Sequence, residues 1–142
     1  IIEQDNGDLQ CLGSSRDPMN CLALKVHNSG RPDIHCNGGQ PQLLKIGRSG
    51  CQWTAARRQP DGRVLAVGAT NGGTEADFLL ARYLPGGQLD PGFAEGTCWV
   101  RTRLGRCLDT ATSVAIQADG KIVVGGYSLD GNYKAVVVRY LG

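Results

Sequence analysis

The fold is decided by one short stretch of the chain, Asp119-Gly120-Lys121-Ile122-Val123-Val124-Gly125-Gly126. The same pattern, a turn dipeptide, a polar residue, four mostly apolar residues and a glycine, occurs at 61–68 and at 6–13. The turns start 55 and then 58 residues apart. A fixed period of this size is typical of propellers, solenoids and other repeat arrays. The sequence therefore predicts three copies of one structural unit.

A second apolar segment follows each copy and carries a basic residue near its end. The basic residues are Lys25, Arg82 and Arg139, each 57 positions after the one before. Such a cation either lines a common anion-binding surface or pairs with a nearby aspartate at a strand end. We expect the ion pair, which is the commoner arrangement on an exposed face.

Strand signals recur in an order of four, named A to D here. An Asn-Gly or Asp-Gly pair separates A from B and predicts a two-residue type I′ hairpin. B is almost continuously apolar, as in a strand buried on both faces. No segment shows capped helical periodicity. The predicted A strands are 1–4, 55–59 and 113–117, the predicted D strands are 42–46 and 99–104, and the predicted B–C loops are 14–20, 70–77 and 128–134.

These signals predict an all-β fold built from tandem four-stranded antiparallel blades, as in a β-propeller. The chain forms a single domain over 1–142, with approximate repeats at 1–52, 53–109 and 110–142. The third repeat lacks strand D, so about three blades cannot close a ring and leave strand edges open. Three arrangements remain: a piece of a longer array, an assembly of copies as a six-bladed ring or a filament, or a flattened sandwich.

Composition excludes two classes of partner. The formal net charge is only +2, and aromatic residues make up 6% of the chain. Nucleic-acid binding needs clustered cations and, for single strands, interleaved aromatics, so we expect none. No apolar run is long enough to span a bilayer.

The six cysteines predict a disulfide-stabilised protein of an oxidising compartment, secreted or at the cell surface. Sequence alone leaves 15 pairings open. We favour sequential pairing, because each loop would then be short and hairpin-like; buried free thiols are the alternative. The favoured pairs are Cys11–Cys21, Cys36–Cys51 and Cys98–Cys107.

Catalytic chemistry has little support, because the two histidines, His27 and His35, have no nucleophile motif around them. We therefore expect no enzyme, no catalytic or cofactor-binding residue and no resident metal. Calcium is the alternative cofactor, because the B–C loops hold oxygen donors of the type it prefers, although none matches an EF-hand. The donors are Asp17, Asn20, Asn71, Glu75, Asp77, Asp130 and Asn132.

Six residues are candidates for an interface or a ligand site. Arg57 and Arg58 stand in strand A of the second repeat, and Arg58 matches the apolar Ile116 of the third. Either they mark a contact surface or they protect a strand edge against aggregation. Trp53 and Trp99, with Tyr83 and Tyr140, are candidate sugar-binding platforms, although such side chains more often pack in a core.

The segment 113–126 with the following Val138-Arg139-Tyr140, and the segment 78–93, resemble the bacterial delta-60 repeat. The resemblance covers essentially the whole chain as two full copies and one partial copy. It implies a secreted or cell-surface protein of propeller-like architecture and no particular chemistry. Copy one departs from the pattern at Asn6, His27 and Cys36.

The functional expectation is an extracellular β-repeat protein that works by assembly or binding, without catalysis. Its partners would be other copies of the repeat. A carbohydrate-binding propeller, with a glycan as partner, is the second hypothesis. A fragment of a larger secreted enzyme is the third.

Overall fold

The structure, a computed structural model, describes residues 1–16, 19–47, 50–70 and 74–142. Within these residues, eleven strands form three antiparallel sheets, numbered I to III here. Sheet I contains β1 (Ile2–Glu3), β2 (Leu9–Ser14), β3 (Cys21–Val26) and β4 (Gln42–Leu44); sheet II contains β5 (Cys51–Arg58), β6 (Val64–Thr70), β7 (Phe78–Tyr83) and β8 (Trp99–Thr102); sheet III contains β9 (Leu108–Ile116), β10 (Ile122–Asp130) and β11 (Asn132–Tyr140).

Strand order follows chain order in every sheet, and only sheet III has three strands. The all-β fold and its three antiparallel sheets are confirmed; the sheets do not close into a ring. Strands β5 and β9 begin several residues earlier than the sequence predicts. A register shift between Trp53 and Ala55, and another opposite Gly125 and Gly126, keep these strands paired beyond the expected start.

The A–B turns differ from the predicted type I′ geometry. In sheet II the Gln59 amide donates to the Arg63 carbonyl and the Gly62 amide donates to the Gln59 carbonyl, at 2.7 and 3.0 Å. Gly62 has a φ of 83°, whereas Asp61 is not among the residues with positive φ. The loop therefore has three residues and ends in a left-handed glycine, a common hairpin form. Sheets I and III repeat this bond pattern.

The predicted loop at 128–134 is wrong, because the strands of sheet III pair almost to their tip. Leu129 pairs with Tyr133 and Asp130 pairs with Asn132, so Gly131 alone makes the turn. Gly131 has a φ of 77°, which a residue without a Cβ adopts at little cost. The result is the longest hairpin of the chain, with two strands of nine residues each.

Sheet II lies between the other two sheets and is buried on both faces. One face packs on sheet I, in a cluster that includes Ala23 of sheet I and Ala66 of sheet II. The other face packs on sheet III, in a cluster that includes Leu80 of sheet II and Val124 of sheet III. All seven residues of β6 are buried, as its continuous apolar run predicts.

One disulfide joins Cys21 of sheet I to Cys51 of sheet II, with their Cα atoms 5.2 Å apart. The predicted sequential pairing is therefore wrong. All six cysteines lie among the described residues, and the other four form no disulfide: Cys11, Cys36, Cys98 and Cys107. The disulfide crosses between two sheets instead of closing a hairpin, so it fixes the packing of sheet I on sheet II.

Hairpin register explains why Cys11 and Cys21 cannot pair. Cys11 stands opposite Leu24 and Cys21 stands opposite Ser14. The two cysteines are thus three residue pairs apart, about 10 Å, and point to opposite faces of the sheet. This distance is too long for a disulfide, and the two side chains point away from each other.

The other two predicted pairs fail for related reasons. The Cys98 carbonyl accepts from the Arg82 amide, whereas the Cys107 carbonyl accepts from the Ala76 amide. Since Arg82 and Ala76 are separated by nearly the full length of β7, Cys98 and Cys107 lie on the order of 20 Å apart. Cys36 is buried in the loop after β3, and its predicted partner Cys51 is bonded to Cys21.

Neither of the helical segments in the described residues could cross a membrane, since each is a three-residue turn of 3-10 helix.

Loss of the disulfide should destabilise the protein. We expect Cys51→Ser to lower the free energy of unfolding by about 3 kcal/mol, because the bond closes a 30-residue segment of the unfolded chain. Denaturant titration under non-reducing conditions measures this. The matched control is Cys107→Ser, at an exposed and unbonded cysteine, which should change the free energy by less than about 0.5 kcal/mol. Equal effects of the two substitutions would contradict the assignment.

Candidate functional site

The repeat gives each sheet two faces that can be compared position by position. We call the face of sheet II that packs on sheet III its leading face, and the face that packs on sheet I its trailing face. The faces at equivalent positions of sheets I and III take the same names. The leading positions are Gln10, Leu12, Cys21 and Ala23 in sheet I; Leu65, Val67, Phe78 and Leu80 in sheet II; and Val123, Gly125, Ala135 and Val137 in sheet III. The trailing positions are Leu9, Cys11, Leu22 and Leu24; Val64, Ala66, Leu79 and Ala81; and Ile122, Val124, Val136 and Val138.

Two of the three leading faces are covered by the following sheet, and the third is open. Ala23 of sheet I and Leu80 of sheet II are each 1% exposed, whereas the equivalent Val137 of sheet III is 72% exposed. Ala135 is exposed as well. The leading face of sheet III thus carries apolar side chains at positions that the repeat elsewhere buries.

Tyrosines extend this open surface toward the tip of the β10–β11 hairpin. The rings of Tyr127 and Tyr133 meet edge to face with their centroids 5.5 Å apart, and Tyr133 is 74% exposed. Strand β11 also has an unpaired edge, since the fourth strand present in sheets I and II is missing. A long apolar edge strand of this kind is a template for association with another chain.

The opposite end of the stack has an open face too. The trailing face of sheet I consists of Leu9, Cys11, Leu22 and Leu24, all partly buried. None of them belongs to either buried cluster, whereas the equivalent residues of sheets II and III pack in a core. The molecule therefore ends in two different apolar surfaces, a leading face on sheet III and a trailing face on sheet I.

Lys25 and Arg82, two of the three cations spaced 57 residues apart, form ion pairs with aspartates in the turns of their own sheets. Lys25 bridges Asp8 and Asp33, with nitrogen–oxygen distances of 3.3 and 3.0 Å. Arg82 donates from Nε to Asp90 at 2.6 Å, and its guanidinium lies over the Phe93 ring. The Arg82 side chain is 13% exposed. These contacts favour the structural role of the cations over an anion-binding surface.

Arg139 differs from its two counterparts, because no ion pair forms on it within the described residues. It is exposed at the edge strand β11, on the same face as Val137. Its charge therefore stands on the open leading face of sheet III.

Asp33 and Asp90 hold their turns through the backbone as well as through the cation. The Asp33 carboxylate accepts from the His35 amide at 2.9 Å, and that of Asp90 accepts from the Gly92 amide at 2.8 Å. Hydrogen bonding from Lys25 lowers the pKa of Asp33 below its ordinary value. Burial alone would raise the pKa of Asp90, but the bonds from Gly92 and Arg82 outweigh it, and this pKa is lowered too.

Arg58 lies at the contact between sheets I and II. Its Nε donates to the Gln4 side-chain oxygen at 3.1 Å and its guanidinium pairs with Asp5. A cavity of about 410 Å³ opens beside it between the A–B turns of sheets I and II. Arg57 is exposed and stands opposite Leu65 in the register. Of the two arginines, Arg58 thus makes an interface within the chain.

The four aromatic candidates differ in how far they are buried. Tyr83 is fully buried, so it cannot serve as a sugar platform. Trp53 packs against it edge to face at 6.3 Å. The Tyr140 hydroxyl lies 2.6 Å from that of Thr102, with the ring packed against the sheet II–III core. Trp99 packs against the same cluster as Trp53 and also lines an open groove, of about 430 Å³, beside the free edge of β8.

The segment before Trp99 has an unusual backbone. Ala94, Glu95 and Cys98 have φ values of 52°, 55° and 69°, in the left-handed region that most side chains avoid. The Thr97 hydroxyl lies 2.7 and 2.9 Å from the carbonyls of Ala94 and Trp99 and so holds the segment in place. Glu95 of this segment also lines the groove.

The remaining polar candidates do not assemble into an evident reaction centre. His27 lies 3.3 Å from Asp8 and 3.6 Å from Asp33. Burial, followed by the charge of Asp33, raises the pKa of the nearby Cys36 thiol, which disfavours its nucleophilic thiolate form. Within the described residues, no three His, Cys, Asp or Glu side chains are grouped to hold a metal ion.

The predicted calcium donors are likewise dispersed. Asp17 and Asn71 lie outside the described residues. Asp77 pairs with Arg101 and Arg103, and Arg103 also pairs with Glu75. Asn20 ends the loop before β3, while Asp130 and Asn132 pair at the hairpin tip.

The sequence analysis predicted open strand edges from the number of copies, but it did not predict which sheet faces lie open. Val137 and its equivalent Leu80 are both apolar residues in the same strand pattern. The number of copies indicates which faces these are. When the sheets do not close into a ring, no further sheet covers the leading face of the last one.

Asp90 should cause the free energy of unfolding to decrease at acid pH. Because its pKa is lowered in the folded protein, its contribution is present above about pH 4 and is lost as the pH falls through the folded pKa. We expect Asp90→Asn to cost about 3 kcal/mol at pH 7 and to flatten the decline in unfolding free energy between about pH 5 and pH 2. Denaturant titrations across this range test it. The control Asp5→Asn, at an 84% exposed carboxylate, should lie near wild type at both ends.

In the comparison with known proteins, one family model matches two segments of the chain. No curated protein matches the sequence. Residues 59–93 and 117–141 match the model of a family described as a domain of unknown function (DUF5122) beta-propeller. These segments contain β6, β7, β10 and β11, the strands that carry the repeat pattern. Over these two segments, the chain is similar to that β-propeller family.

Proposed function

We propose that this protein is a non-catalytic extracellular repeat module that works by associating with other copies of itself. The observation that carries the proposal is the open leading face of sheet III, where Val137 is 72% exposed at a position that is 1% exposed in sheets I and II. The chain buries the equivalent leading faces of sheets I and II, so the leading face of sheet III is suited to contact with another sheet. Its exposure in an isolated chain favours association.

Two further observations support the finer parts of this proposal. The Cys21–Cys51 bond fits an oxidising compartment, and so supports secretion or display at the cell surface. The match to a β-propeller family covers the Arg82 and Arg139 segments that resemble the delta-60 repeat. The proposal assigns the chain to such repeats, with propeller-like closure reached between chains.

A charge on the open face should weaken association. We expect wild-type protein to show a mass that rises with concentration above that of one chain, and Val137→Asp to weaken this association on the order of 100-fold, because a carboxylate would be buried without a partner. Sedimentation velocity over a dilution series measures both. The matched control is Ile34→Asp, which introduces the same charge at a 69% exposed apolar residue in the loop between β3 and β4. A wild-type protein that stays monomeric up to millimolar concentration would contradict the proposal.

The Trp99 groove supports a second candidate, carbohydrate binding. An aromatic side chain with a few convergent polar groups in a cleft is the usual composition of a small-molecule site. The groove offers Trp99 and the Glu95 carboxylate beside a strained backbone. Strain of this kind is concentrated at functional sites.

The glycan hypothesis is tested by array binding. We expect binding to be lost in Trp99→Ala and kept in Trp53→Phe, because Trp99 lines the groove and Trp53 does not. The tryptophan substitutions need a folding check by circular dichroism. Equal loss in both variants, or no binding by wild type, would count against the groove as a sugar site.

A further inference from the structure

The two open faces of the chain are the two halves of an interface that the chain already makes twice. The leading face of sheet I packs on the trailing face of sheet II, and the leading face of sheet II packs on the trailing face of sheet III. The face left open on sheet III is a leading face, and the face left open on sheet I is a trailing face. Continuing the same contact once more would join sheet III of one chain to sheet I of another.

We infer that the occupant of the open face on sheet III is the trailing face of sheet I in a second copy, with two chains closing as a ring of six sheets. This rests on the proposed function and names the partner surface. Two chains of three sheets fall within the four to eight blades that close a propeller. Since each chain offers one leading and one trailing face, two copies related by a two-fold axis satisfy both pairs of faces.

Glycine environments support this direction of stacking. Gly87, in the turn after β7, lies against the preceding sheet: a Cβ added there would meet the Cys36 sulfur at 2.7 Å and the Lys25 Cβ at 3.3 Å. The equivalent Gly30 of sheet I has nothing within 4 Å of its added Cβ. Gly30 shares the left-handed turn backbone of Gly87, with a φ of 82° against 91°, and has no sheet before it.

Arg139 is the residue that would cover Gly30 of a second copy. Lys25, Arg82 and Arg139 occupy equivalent leading positions, and the Lys25 stem packs on Gly87 of the next sheet. In the proposed contact the exposed Arg139 stem takes the place of Lys25 against Gly30. A long basic side chain buries its methylenes in such a contact while its charge stays at the surface.

The internal interfaces also predict which residues would share one buried cluster across the chains. Ala23 and Ala66 share one cluster, and Leu80 and Val124 share the other. The corresponding pair in the new contact is Val137 of one chain and Cys11 of the other. Cys11 is partly exposed and unbonded, so it offers a native partner for an engineered cysteine.

A crosslinking experiment tests the inference. Val137→Cys is prepared with Cys107→Ser, which removes the exposed cysteine, and the full chain is oxidised at several concentrations. We expect a disulfide-linked two-chain species whose tryptic peptides join positions 11 and 137, with no trimers or longer products. The link should disappear when Cys11→Ser is added. The matched control is Lys134→Cys, exposed on the same strand but on the side of the other face, which should not form it.

A second experiment keeps the inference falsifiable if the cysteine variant misfolds. Val137→Asp and Leu22→Asp each damage one of the two faces and should each leave the protein monomeric at concentrations where wild type is dimeric. Their equimolar mixture retains one intact pair of faces and should recover a two-chain species by sedimentation. A symmetric contact between two copies of sheet III would instead leave Leu22→Asp dimeric by itself.

The outcomes separate the two proposals. Self-association without the 11–137 link and without recovery in the mixture overturns the head-to-tail partner but leaves the association module standing. A ladder of trimers and longer products keeps the pairing of faces and overturns the closed two-chain ring. A strictly monomeric wild type that forms no link overturns both proposals.

Discussion

The fold depends on the burial of both faces of sheet II. Strand β6 is apolar along its whole length, so it is stable only with a sheet on each side. Sheets I and III supply those sides, and each is thereby left with one covered face and one open face. The same constraint that stabilises the centre of the molecule therefore creates two apolar surfaces at its ends. The proposed association of two chains uses these two surfaces.

Ion pairs, hydrogen bonds and one disulfide fix the turns and the packing of the sheets. Lys25 and Arg82 tie the turn after strand C to its own sheet through Asp33 and Asp90. The Cys21–Cys51 bond and the Arg58 contacts with Gln4 and Asp5 join sheet I to sheet II. Sheet I has the fewest large apolar residues at its leading positions, where Gln10, Cys21 and Ala23 replace Leu65, Phe78 and Leu80. The covalent bond thus lies where the core is weakest.

Much of the architecture could be predicted from the sequence. The repeated turn and the apolar strands predicted the strand order, and the missing D strand predicted a three-stranded last sheet. Cysteine pairing could not be predicted, because the number of residues between two cysteines does not tell which face each occupies. Cys11 and Cys21 fail to pair because they stand three residue pairs apart in one hairpin. Of the candidate site residues, Trp53 and Trp99 both pack against the core between sheets I and II, and Trp99 also lines an open groove; Arg58 bonds across the same two sheets.

The number of units, their strand order and their turn positions follow from the sequence alone, since each depends on local backbone preference and apolar periodicity repeated at a fixed spacing. Which faces are covered depends on how the sheets stack. Leu80 and Val137 have equivalent places in equivalent strands, and what distinguishes them is that a sheet lies over Leu80 and none lies over Val137. Burial is a property of what packs against a residue, and no pattern within a single strand contains that information.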